Sequence, residues 1–185
     1  MRREFGIART SCGCAECQLN CRHMPGMLIP SDLDRLAPVP EGEAAVLAWA
    51  EANLLASPGA LVAQGGRTFR IPTLVPATKA DGSCVHLGED GRCAIHAVAP
   101  FGCAFFSCGP DPGIAGDGLR EIARAHTAGG LYTRVWERLW LLGRRQERPD
   151  VLRERMAKAL DWGCTCGYAN PASEGRCQSC GRGHL

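Results

Sequence analysis

At 185 residues and a net charge of +2, the chain is long enough for one domain with a modest core plus a small appendage, and it offers no bulk charge argument for nucleic-acid or membrane binding. Twelve cysteines are far above ordinary usage. No stretch approaches the roughly 18 apolar residues of a membrane span, and no apolar run of signal-peptide length follows the basic Met1-Arg2-Arg3. The expectation is a cytoplasmic chain with reduced thiols, which favours metal ligation over disulfides.

Residues 10–23 carry Cys12-x-Cys14-x2-Cys17-x3-Cys21, followed by Arg22 and His23. Spacing this tight suits several thiolates converging on one ion or cluster better than unstrained disulfides. Ser31-Asp32-Leu33-Asp34 reads as a helix start, with Ser31 as the cap and two acids at the positive end; Pro38 and Pro40 stop it. Val46, Leu47, Ala50, Leu54 and Leu55 predict a helix over 42–56, ended by Ser57-Pro58-Gly59. Residues 60–66 read as a loop, and Thr68-Phe69-Arg70-Ile71 as a short edge strand.

The segment from Cys84 to Cys108 spends four cysteines, Cys84, Cys93, Cys103 and Cys108, on a short stretch punctuated by Gly and Pro. Cys84 to Leu87 and Arg92 to His96 read as extended pieces joined by the turn Gly88-Glu89-Asp90-Gly91, which brings Cys84 and Cys93 together. Pro100 and Gly102 bend the chain so that Cys103 and Cys108 return toward them. With the N-terminal cluster folded onto it, this segment is expected to enclose a metal centre. Zinc and an iron–sulfur cluster both fit such a thiol set. Arg22 and Arg92, beside ligand cysteines, are candidates to offset the thiolate charge. His86 and His96 flank Cys84 and Cys93 and are the stronger histidine candidates. His23 and His126 are also possible ligands or acid–base groups, and His126, on an apolar helical face, reads rather as a buried, hydrogen-bonded residue.

Residues 109–118 read as a linker. A helix follows from near Leu119, is interrupted at Gly129-Gly130, and resumes through Leu131, Val135, Leu139 and Leu142, thickened by Trp136 and Trp140. Another amphipathic helix is predicted over 150–160. The basic stretch from Arg134 to Lys158 reads as a solvated helical face.

The C-terminal stretch runs Asp161-Trp162-Gly163-Cys164-Thr165-Cys166, then Asn170, then Cys177-Gln178-Ser179-Cys180. Two close cysteine pairs ten residues apart make a four-thiolate zinc site, and so small a module needs the metal to fold. This stretch resembles the RanBP2-type zinc finger at Trp162, Asn170, Cys177 and Cys180, with a first knuckle, Cys164-x-Cys166, shorter than the family's. The resemblance implies a partner surface of Trp162, Tyr168 and Asn170 that meets a protein or single-stranded RNA. The RNA-binding members' arginines after the Asn are replaced here by Pro171, Ala172, Ser173 and Glu174.

The first 110 residues resemble the YkgJ-type cysteine-cluster family, described as zinc- or iron-chelating domains. The match comprises an N-terminal cysteine cluster, then Ile29, Asp32, Arg35, Leu36 and Ala37, then Cys84, Leu87, Gly91-Arg92-Cys93, Ile95, Pro100, Cys103 and Phe106. The first cluster is spaced more loosely than the family's Cys-x2-Cys-x2-Cys-Cys. Relatives of the domain occur in flagellin lysine methylases.

The fold expected is a small, mainly α metal-stabilised domain over 1–160, with short β segments and irregular cysteine-rich loops, and a zinc-ribbon-like finger over 161–185. Its core metal ligands are Cys12, Cys14, Cys17, Cys21, Cys84, Cys93, Cys103 and Cys108; its finger ligands are Cys164, Cys166, Cys177 and Cys180. The function expected is metal binding with a docking finger, with a metal-dependent enzyme or redox subunit as the alternative. No catalytic triad, Cys-His nucleophile pair or phosphate-binding glycine loop emerges, so no catalytic residue is assigned.

Overall fold

A computed structural model describes residues 15–64, 66–105, 112–152, 154, 160–163, 166, 169–171, 176–177 and 179–183. The candidates Cys12, Cys14, Cys108, Cys164 and Tyr168 lie outside them.

Helix α1 (Ala15–His23) carries Cys17 and Cys21. Helix α2 (Pro30–Leu36) starts one residue before Ser31, with Ile29 at the cap position and Pro30 in the first turn, where its missing N–H costs nothing. Asp32 is more than a charge at the helix start. It is fully buried, and its carboxylate accepts the Ile29 N–H at 3.2 Å.

Helix α3 (Glu43–Asn53) is shorter than the predicted 42–56. Leu54 and Leu55 open strand β1 (Leu54–Gln64) instead, and the predicted loop over 60–66 belongs mostly to it. The override is tertiary: β1 pairs antiparallel with β2 (Arg67–Pro76) from Leu54↔Pro76 to Gln64↔Arg67. Ser57-Pro58-Gly59, read as a helix stop, is a bulge inside β1. Gly59 has φ +86°, and a Cβ there would lie 1.7 Å from the Ile71 carbonyl oxygen, so only glycine fits. The base of the hairpin is widened on both sides. Leu28 N–H donates to Leu74 O at 2.8 Å, and Ala56 exchanges backbone bonds with Arg144 and Gln146 at 2.9 Å each.

The predicted turn at Gly88–Gly91 is present. Gly91 adopts φ +74°, and Gly88 N–H donates to Arg92 O at 2.8 Å. A 3-10 turn, His96–Val98, leads into α4 (Phe101–Phe105). The linker reading of 109–118 is corrected, because α5 (Pro112–Ala128) already covers its second half. Glycine serves packing there: a Cβ on Gly118 would sit 2.5 Å from the Phe101 ring. Gly129, at φ +63°, ends α5, and α6 (Leu131–Leu141) follows as predicted. Within the predicted 150–160 helix, residues 150–152 and 154 are helical.

The core gathers Leu28, Leu33, Val46, Leu74, Phe101 and Val135 from α2, α3, β2, α4 and α6 and the segment before α2. Tyr132 ties three of these pieces together. Its buried hydroxyl donates to Leu28 O at 2.8 Å and accepts the Leu74 N–H at 2.9 Å. The fold is mainly helical as expected, but its principal β element is no short segment: β1 and β2 are strands of 11 and 10 residues paired along their length. Strands β3 (Leu160–Gly163) and β4 (Ala169–Pro171) form a separate antiparallel hairpin, and β4 lies beside α1. Among the described residues, no helix is long and apolar enough to cross a membrane.

Candidate metal centres

Four chain segments deliver thiols to one neighbourhood. Cys21 stands in the last turns of α1, and its carbonyl accepts the Cys84 N–H at 2.7 Å. Cys84 opens a tight turn in which Leu87 N–H returns to Cys84 O at 2.9 Å. The backbone of His86 also hydrogen-bonds the Cys84 thiol and favours its ionised form. Cys93 opens a second turn of the same kind, with His96 N–H donating to Cys93 O at 3.1 Å. The bridge Leu87↔Cys93 holds the two turns side by side. Two turns, each beginning with a cysteine, are a local design for presenting sulfur and backbone N–H groups together.

Cys103 arrives from α4. Its thiol reaches Gly26 O at 3.7 Å, and the next contact back is Gly102 N–H to Met27 O at 2.8 Å. Here two backbones cross without room for side chains. A Cβ on Gly26 would lie 2.2 Å from Cys103 N, and one on Gly102 2.3 Å from Met27 N. The crossing fixes the Cys103 segment against the chain that leaves α1.

The electrostatics of the four thiols follow from this packing. Burial pushes the Cys103 thiol well above its ordinary value, and the nearby Cys84, Cys21 and Cys93 push it further. Cys84 is pushed up to about 11, by burial first and then by Cys21 and Cys93. Cys21 is raised by burial and by Cys93. Crowded, poorly hydrated thiols resist ionisation unless a cation joins them, which is the condition a thiolate-bound metal meets. No disulfide joins any of the four to another. Among the described residues, no three of these core thiols lie within 4.8 Å of one another.

That spacing is reached in the C-terminal cysteine group. The sulfurs of Cys166, Cys177 and Cys180 all lie within 4.8 Å of one another, with Cys166 and Cys177 3.6 Å apart. A tetrahedral zinc site with Zn–S bonds of about 2.3 Å has sulfur–sulfur edges of about 3.8 Å. Cys177 is buried, whereas Cys166 and Cys180 are exposed. The second knuckle is built by Gly181 N–H to Cys177 O at 2.8 Å and Cys177 N–H to Arg182 O at 2.7 Å. Gly181 turns the chain at φ +73°. Trp162 and Asn170 are register partners across the β3–β4 hairpin. This cysteine group can hold a metal ion.

No family model, curated protein or solved structure matches the chain.

His86 is half-buried, and loss of hydration lowers its pKa, which favours the neutral ring, the form that ligates metals. His96 is exposed. His126, read as a buried hydrogen-bonded residue, is hydrogen-bonded but only half-buried. Its Nε2 lies 3.0 Å from Pro72 O and its Nδ1 3.3 Å from the Thr133 hydroxyl. A carbonyl only accepts, so Nε2 carries the proton. Arg22 and Arg92, candidates for charge compensation, are both exposed. The cation whose charge acts on Cys84 is Lys79, which also donates to Leu87 O within the first turn. Sequence reading missed Lys79, since only folding of the Thr78↔Cys84 bridge sets it beside the cysteine turn. It also missed the Gly26–Gly102 crossing, for which two isolated glycines give no signal.

Proposed function

We propose that this chain is a metal-binding protein with two thiolate sites: a core centre holding zinc or an iron–sulfur cluster, and a finger zinc beside a surface that docks a protein or RNA partner. The observation that carries the reading is the finger's three sulfurs, from cysteines with ten and two residues between them, gathered within 4.8 Å. Small folds converge cysteines this closely around an ion. The core site is supported by the mutual proximity of Cys21, Cys84, Cys93 and Cys103, and by the YkgJ-type pattern in which they stand. Cys12, Cys14, Cys17 and Cys108 complete the candidate core set, and Cys164 the finger set.

A metal bound here would offset the charge of thiolates whose ionisation burial and crowding oppose. His86 N–H and Lys79 are placed to support a bound Cys84 thiolate by hydrogen bond and charge. In the finger, Trp162, Tyr168 and Asn170 offer the stacking and hydrogen-bonding groups that meet a base or a protein. With Pro171 and Glu174 where RNA-binding fingers carry arginine, a protein partner fits better.

The test is metal analysis and an absorbance spectrum of the full chain purified without air. Zinc in the finger and a second centre in the core are expected. Broad visible absorption identifies iron–sulfur, and its absence with two or more zinc ions identifies zinc. Replacing Cys177 and Cys180 by serine should remove one zinc and leave the core centre. A metal-free, fully folded chain would refute the proposal. Titration of the full chain with short single-stranded RNA separates the finger's two partner classes.

A further inference from the structure

We propose that the Asp32–Arg35 ion pair is the positioning element of the core thiol site: it sets where Cys103 stands relative to Cys21 and Cys84 while ligating nothing itself. The inference rests on the core-site reading above.

The geometry is a clamp between α2 and the segment that carries Cys103. The Asp32 carboxylate is fully buried and accepts two backbone N–H groups, from Ile29 at 3.2 Å and from Phe101 at 2.5 Å. Its other oxygen meets the Arg35 guanidinium at 2.6 Å. Arg35, whose side chain is 26 % exposed, extends the fork to Val98 O at 2.6 Å and Ala99 O at 3.4 Å. One ion pair thus grips the chain at residues 98, 99 and 101, and Cys103 follows two residues later.

The other side of Cys103 is fixed by the Gly26–Gly102 crossing, which leads back to Cys21 at the end of α1. Ile29 lies between that crossing and α2. Clamp and crossing therefore close a small ring of chain, with two candidate ligand thiols on its rim. Loosening the clamp removes the directional bonds that Asp32 and Arg35 make to residues 98, 99 and 101, so that Phe101's non-directional packing in the core and the Gly102 N–H to Met27 O bond are left to set the position of the segment.

A buried ion pair is a weak stabiliser compared with apolar residues of the same volume, and its best-attested use is to fix register. The planar guanidinium also serves a carboxylate and two carbonyls at fixed angles, which an ammonium cannot do. Supporting groups of this kind outside the ligand shell typically change metal affinity by about 10–100-fold when removed.

The experiment uses the full-length chain with Cys177→Ser and Cys180→Ser, so that the core alone reports, and titrates the reduced protein with cobalt(II), read by thiolate-to-cobalt absorption. Arg35→Met should weaken cobalt binding by about 10–100-fold. Arg35→Lys, which retains a charge beside Asp32, should give a smaller loss and keeps the test valid if the methionine variant does not fold. Val135→Ala, a core change on α6 that removes none of the clamp's hydrogen bonds, is the stability control and should leave cobalt affinity at the parent level. Parent-like affinity in the folded Arg35 variants would overturn the inference while leaving the thiol site standing. A fall in Val135→Ala equal to that in Arg35→Met would overturn it too, by reducing the effect to general destabilisation. No cobalt–thiolate absorption in the parent would remove the core site and the inference with it.

Discussion

Gly26 and Gly102 approach so closely that each occupies the space the other's side chain would need. A Cβ on Gly26 would lie 2.2 Å from the Gly102 carbonyl carbon. Because the clashing atoms are backbone, they cannot swing aside as a side chain would. Gly102→Ala should therefore cost about 1–3 kcal/mol of stability by overpacking, measured by denaturant unfolding. It should also lower metal content in the core, since Cys103 is the next residue. A variant as stable as the parent, with unchanged core metal, would contradict this account of the crossing.

Tyr132→Phe removes one oxygen and leaves the Leu28 carbonyl and the Leu74 N–H without the hydroxyl that each now uses. The expected cost is about 1–3 kcal/mol, because unsatisfied groups in a buried place lose their hydration as well as their bond. Thermal unfolding monitored by circular dichroism measures it.

Trp136 is half-buried. Its indole stacks on Trp140 at 4.9 Å and donates to Ser57 O at 2.9 Å, and Arg145 covers the Trp140 ring at 4.3 Å. Trp136→Ala should cost about 2–3 kcal/mol, less than for a fully buried Trp, and Trp136→Phe about 1 kcal/mol from the lost hydrogen bond. Equal costs for the two changes would show that the stack contributes nothing beyond the hydrogen bond.

Cys84 makes a pH prediction for the metal-free, reduced chain. Its thiol is pushed from 9.0 to about 11 by burial and by Cys21 and Cys93. A raised folded-state value means that the stabilising effect is fully present below pH 9 and is lost as pH rises through 11. Stability should therefore fall between about pH 9 and 11, by on the order of 2 kcal/mol for this group. Cys84→Ala should flatten that slope. Bound metal should flatten it as well, because the thiolate then already has its cation. A slope unchanged in Cys84→Ala would assign the titration elsewhere.

The sequence by itself determined the local features of this protein. Cysteine spacing marked Cys177 and Cys180 as one knuckle and drew in Cys166, because short loops bring near neighbours together whatever surrounds them. The turn at Gly88–Gly91 and the break at Gly129-Gly130 were legible for the same reason: glycine's conformational freedom acts within a few residues. Apolar periodicity marked α6 and the core side of α5. What only the tertiary structure decided depends on partners distant in sequence. Leu54 and Leu55 fit the helical pattern of α3, but pairing with Pro76 and Val75 made them strand. Gly116 and Gly118 looked like linker residues until the Phe101 ring lay across Gly118. Asp32 looked like a charge at a helix start, and the Phe101 N–H, 69 residues away, turned it into a buried acceptor. Such roles come from desolvation and contact across the fold, which no window of neighbouring residues contains.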